Sequence, residues 1–146
     1  MKKVGWVGLL VIFYVFLVGM GGFGNPGSVQ VPEPKTNYSA TITDLSDLAI
    51  RVERFSFDGQ TYLSGKMGDA DVSITLDRVN TIIFVLNEDT LTAEVRLKDG
   101  KTVSVVMNKK TNCHGQFAYG GYRIAAVNIK SIKVHGKVLP EEKQPS

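Results

Sequence analysis

Two stretches of this chain follow one pattern, and that repetition limits the fold more than any other feature. Gly65–Phe84 reads GKMGDADVSITLDRVNTIIF and Gly115–Val134 reads GQFAYGGYRIAAVNIKSIKV; the two align without a gap. Gly65 falls on Gly115, Ile74 on Ile124, Val79 on Ile129, Ile82 on Ile132 and Phe84 on Val134. Only three positions are identical, so the weight rests on apolar residues recurring at the same intervals, the periodicity that reports packing. The chain reads as two related units, residues 39–86 and 92–135. The four aligned positions other than the glycine pair supply the predicted core: Ile74, Val79, Ile82, Phe84, Ile124, Ile129, Ile132 and Val134.

The local grammar is that of strands. Leu48, Ile50, Val52, Phe55 and Phe57 alternate, with one slip at Glu53-Arg54 that predicts a bulge. Asp58-Gly59 predicts a hairpin from which Thr61 and Leu63 lead the returning strand. Gly68-Asp69 predicts the next turn, Leu76–Val79 a single helical turn, and Ile82–Leu86 a buried run. The second unit repeats this order. Asp99-Gly100 and Gly120-Gly121 are its hairpin signals and Ala125–Ile129 its helical turn. No stretch after residue 38 carries an apolar stripe at helical spacing. The predicted fold is therefore all-β, an antiparallel sandwich or barrel built from two related β-meander repeats within residues 39–138.

The phrase Leu97-Lys98-Asp99-Gly100-Lys101-Thr102-Val103, followed by Gly115, Ile124, Ile129 and Lys130-Ser131-Ile132, resembles a unit of small secreted bacterial β proteins. Its order of hairpin, hairpin, tight turn and final strand is similar to Src-homology-three-like and Sm-like small barrels. The resemblance implies a scaffold and no particular activity, because such scaffolds host many functions. The first unit departs from it, with longer opening strands and no glycine beside Asp44, which favours one body built from both units.

Residues 1–24 hold Lys2 and Lys3, an apolar run from Val4 to Met20, and Gly22-Phe23-Gly24. Those are the three parts of a secretory signal peptide. The expectation is a secreted or periplasmic bacterial protein cut near Gly24, the alternative being an anchor formed by residues 4–20. Residues 25–38, with Pro26, Pro32 and Pro34, read as a linker or an ordered irregular arm. The tail, residues 139–146, is polar and reads as loose. The formal charge of +3 falls to +1 once Lys2 and Lys3 are set aside. Lys109-Lys110, in a loop, is the one local basic cluster. That is no footprint of a nucleic-acid binder, and membrane contact is expected only if the N-terminal segment stays uncleaved. A single cysteine excludes an internal disulfide, so the fold must rest on its core.

Chemistry-bearing residues are few. Cys113-His114 could make a nucleophile and base only if both reached one cleft, yet neighbours on a strand point to opposite faces. With His135 they could hold a metal only if the fold gathered them. Asp69 and Asp71 are spaced as in calcium loops, but the further oxygen ligands are missing, and Gly68-Asp69 suits a turn. Tyr119 and Tyr122 flank Gly120-Gly121 and are the candidate binding residues. No phosphate loop, nucleophile elbow or zinc-helix motif is present. The expected function is a non-catalytic envelope module without cofactor or metal, binding an envelope protein or polysaccharide through Tyr119 and Tyr122 or a strand edge. The alternative is a small hydrolase, metal- or Cys/His-dependent, using Cys113, His114 and a carboxylate such as Asp99.

Overall fold

A computed structural model describes residues 29–139. The proposed signal segment, residues 1–24, and the tail beyond Leu139 lie outside the described residues. Ten strands follow in order: β1 (Tyr38–Asp44), β2 (Ala49–Phe57), β3 (Tyr62–Met67), β4 (Ala70–Thr75), β5 (Val79–Asn87), β6 (Thr90–Leu97), β7 (Thr102–Met107), β8 (Asn112–Phe117), β9 (Gly120–Ala125) and β10 (Ile129–Lys137). Short 3₁₀ turns, Leu76–Arg78 and Ala126–Asn128, precede β5 and β10. The protein is all-β, as its alternating pattern requires, and every strand pair is antiparallel.

The strands form one continuous curled sheet in the order β4-β3-β7-β6-β5-β10-β1-β2-β8-β9. The elements β3, β4, the first 3₁₀ turn and β5 each begin fifty residues before β8, β9, the second 3₁₀ turn and β10. Exchanging β1–β5 with β6–β10 turns the sheet order into its own reverse. The midpoint is the β5–β10 pair, where Ile82 faces Ile132. Each half of the sheet thus takes β3, β4 and β5, or β8, β9 and β10, from one part of the chain and its two middle strands from the other.

This interleaving corrects one expectation. Asp58 (φ 51) and Gly59 (φ 89) do make the tight turn, closed by Phe57 and Gln60 exchanging both backbone hydrogen bonds. Two successive positive φ values are what a type I′ turn needs. The hairpin stops after that one bridge, because β3 leaves to join β7 while the end of β2 joins β8. The expected bulge in β2 sits where the strand changes partner. Ala49–Val52 pair with β1, the register to β8 skips between Glu53 and Ser56, and Arg54 has φ 54. The Arg54 N–H, turned out of the ladder, donates to Asn37 Oδ1 at 2.7 Å, and its guanidinium meets Glu33. The arm before β1 is thereby tied down at the bulge. Pro34 is buried, and Val29 and Val31 lie against Gly121.

One core runs the length of the sheet. Val79, Ile82, Phe84, Ile129, Ile132 and Val134 are buried, as their spacing predicts. Ile74 and Ile124, on the two edge strands, are half-buried and pack against that core. Full burial of an isoleucine side chain contributes about 1.5–3 kcal/mol, so the central Ile82–Ile132 pair is a principal support. The 3₁₀ turns add Leu76 and Ala126, both fully buried. Their N–H groups donate to Thr61 and Thr111 carbonyls at 3.0 and 2.9 Å, again fifty residues apart. The run Ile82–Leu86 is buried on one face only: Ile83, Val85 and Leu86 are exposed. An apolar run cannot say which of its faces the sheet covers.

The glycine shared by the two parts of the chain has a steric cause at Gly65 and Gly115. A Cβ on Gly65 would lie 2.3 Å from the Val106 carbonyl oxygen and 2.6 Å from Val105 Cγ1. One on Gly115 would lie 2.7 Å from Val52 Cγ2. These are the two places where a hairpin from one part of the chain crosses onto a middle strand from the other, and only glycine lets the strands approach so closely.

Candidate functional site

The β8–β9 hairpin ends one sheet edge and carries both candidate tyrosines. Its turn is Ala118-Tyr119, not Gly120-Gly121: Phe117 pairs with Gly120 and Gln116 with Gly121. Gly120 takes φ 145 at the start of β9, and Gly121 lies under the arm, where a Cβ would meet the Val29 oxygen at 2.8 Å. The turn so placed lifts Tyr119 off the body, and it is 89% exposed. Tyr122 is half-buried and packs against the core. Burial, and then the Asp44 carboxylate and Cys113, raise its phenol pKa. Phe117 joins the two: its ring centroid is 5.8 Å from that of Tyr119 and 6.1 Å from that of Tyr122, both edge to face.

A cleft of about 430 Å³ opens beside Phe117, lined by Arg51, Val52, Glu53, Gln116, Phe117 and Ala118. It lies at the bulge of β2, where pairing with β1 ends at Val52 and pairing with β8 begins at Glu53, opposite Gln116. The cleft was not legible from motifs, since its two sets of residues are more than sixty positions apart and meet only through the interleaved strand order. The slip at Glu53-Arg54 was its single sequence signal.

The structure separates the remaining chemistry-bearing residues. Cys113 is fully buried, in register with Phe57 and Ile124, at the place that Leu63 fills in the other half. Burial pushes its thiol far above the usual range, with Asp58 adding to the effect, which keeps it protonated and poorly nucleophilic. His114 follows on the opposite face, in register with Ser56 and Arg123. It is 8% exposed; Nε2 lies 3.7 Å from Asp58 Oδ1, and Nδ1 is buried without a partner among the described residues. Burial lowers its pKa against the pull of Asp58. His135 is on β10, its Nε2 2.8 Å from Thr41 Oγ1. Asp99 accepts the Lys101 N–H within the β6–β7 turn. Asp71 pairs with Lys66 beside the Gly68-Asp69 turn, and Lys109 with Asp89. Among the described residues, no three His, Cys, Asp or Glu side chains gather as a metal site would need.

No curated protein and no solved structure matches the chain. A family model described as "Uncharacterised protein" matches residues 34–137, a span that contains all ten strands, and the chain belongs to that family.

Proposed function

We propose that this is a non-catalytic binding module of the bacterial cell envelope, secreted or periplasmic, that holds an envelope polysaccharide or protein at the β8–β9 hairpin. One observation carries the reading: Tyr119 is exposed at the tip while its ring is braced edge-on by Phe117. A large ring left in water at that position carries a hydration cost that a ligand relieves, and a braced ring has little freedom left to lose on binding. The adjoining cleft adds Arg51, Glu53 and Gln116, exposed donors and acceptors beside Val52 and Phe117, and a few polar groups beside an apolar wall are how small sites orient polar ligands. That combination suits a saccharide, with its hydroxyl rim and apolar ring face. The resemblance to Src-homology-three-like and Sm-like barrels belongs to the same proposal, supported by the succession of strands, hairpin, 3₁₀ turn and long strand in each part of the chain.

The test is capture from envelope extract and co-sedimentation with purified cell-wall polysaccharide, using the mature protein and its Tyr119→Ala and Arg51→Ala variants. The proposal expects capture by the parent and at least tenfold weaker capture by both variants at unchanged thermal stability. Undiminished capture by both variants would move binding elsewhere, and no capture by the parent would remove the proposal.

A further inference from the structure

The two ends of the sheet differ in one respect that points to a second surface. On the edge strand β9, Tyr122 is half-buried and packs against the core. The residue fifty positions earlier, on the edge strand β4, is the smaller Val72, and there an open groove of about 450 Å³ lies beside the strand. Val72 and Ile74 of β4, Met67 of β3, and Leu97 and Val103 line it. Val72, Ile74, Leu97 and Val103 are each left half-buried. Among the described residues β4 pairs only with β3, so its other edge presents backbone donors and acceptors beside the groove. Arg78 also lines the groove, is exposed, and forms no ion pair among the described residues.

We propose that this groove takes an extended peptide segment of a protein partner, which adds a strand to β4, sets alternate aliphatic side chains against Val72, Ile74 and Val103, and places a carboxylate on Arg78. Strand addition supplies main-chain hydrogen bonds, and the period of two sends every second side chain inward, so an edge beside an apolar groove selects aliphatic residues at alternate positions. Arg78 fixes the charge of the segment's end, as a guanidinium pairs with a carboxylate through two donors. A polysaccharide, the ligand suited to the opposite hairpin, has neither the strand edge nor the aliphatic side chains this surface matches.

The probe is a blocked peptide of alternating valine and threonine with a glutamate at each end, titrated into the isotopically labelled mature protein. The expected result is saturable movement of the amide signals of Ala70–Thr75 and of the Leu97 and Val103 methyls. Val72→Tyr, which gives β4 the bulkier residue that β9 carries fifty positions on, should abolish it. Arg78→Glu, and separately a glutamine-ended peptide, should weaken binding at least tenfold. Arg78 is a surface residue, so that arm of the test stands even if the tyrosine variant fails to fold. Movement confined to other strands, binding indifferent to Arg78→Glu, or no saturation at millimolar peptide would overturn the proposal. None of these outcomes touches the Tyr119 hairpin, whose variants test the other surface separately.

Discussion

Gly65→Ala should destabilise the protein even though alanine is ordinarily the better strand residue. The added methyl would stand 2.3 Å from a backbone oxygen and 2.6 Å from Val105 Cγ1, where carbon contacts settle at about 3.5–4.0 Å. The oxygen belongs to the main chain of β7, so no rotamer change relieves the overlap and β3 must withdraw. Overpacking of that kind costs about 1–3 kcal/mol, and a clash against backbone belongs at the upper end. The usual advantage of alanine over glycine, about 0.5–1 kcal/mol, offsets a part. A net loss of about 2 kcal/mol follows, or a fall in Tm of roughly 10 °C for a domain of this size. Gly115→Ala meets Val52 Cγ2 and Cβ at 2.7 and 2.8 Å before any backbone atom. Its loss should be smaller, and Gly115→Ala combined with Val52→Ala should cost less than the two single losses summed. Urea unfolding of the mature protein measures all of these. A Gly65→Ala protein as stable as the parent would refute the close crossing of β3 over β7.

Further outcomes follow from burial and charge. Ile82→Ala and Ile132→Ala should each cost about 2–5 kcal/mol in the same assay, and, since the two face each other across β5–β10, the double variant should depart from additivity. His114 has its folded pKa below the ordinary 6.5. Its contribution to stability is therefore complete above pH 6.5 and is lost as the pH falls towards the folded value; His114→Gln should flatten stability between pH 7 and pH 5 relative to the parent, and an unaltered slope would contradict its burial as the neutral ring. Cys113 should resist thiol reagents in the native protein and react on unfolding at the unfolding rate; rapid native labelling would show the strand to be open. Export should leave a chain beginning near residue 25, read by intact mass, whereas an uncut chain in the membrane fraction would favour the anchor.

The local structure of this protein was legible because alternation and turn chemistry are local. The bulge at Glu53-Arg54, the turns at Gly68-Asp69 and Asp99-Gly100, and both 3₁₀ turns lie where residue types place them. Partner choice was not legible. Asp58-Gly59 encodes a turn, and a turn of that kind ordinarily continues as a hairpin; here only one bridge forms because β7 and β8 outcompete it. The same uncertainty of pairing hid both surfaces. Gln116 and Arg51 line one cleft, and Val72 and Val103 one groove, through strand neighbours that no spacing along the chain records. The tyrosines illustrate the remaining gap: two identical residues beside one glycine pair, of which the Ala118-Tyr119 turn exposes the first while the period of two turns the second inward.

The interleaved strand order is the claim on which the glycines, the cleft and the groove all depend, and backbone nuclear Overhauser effects test it directly. Cross-strand contacts should join Lys66 to Val106 and Ser56 to His114, the pairs that carry β3 onto β7 and β8 onto β2. Contacts that instead extend the Phe57–Gln60 bridge into a regular β2–β3 hairpin, joining Phe55 to Tyr62, would contradict it.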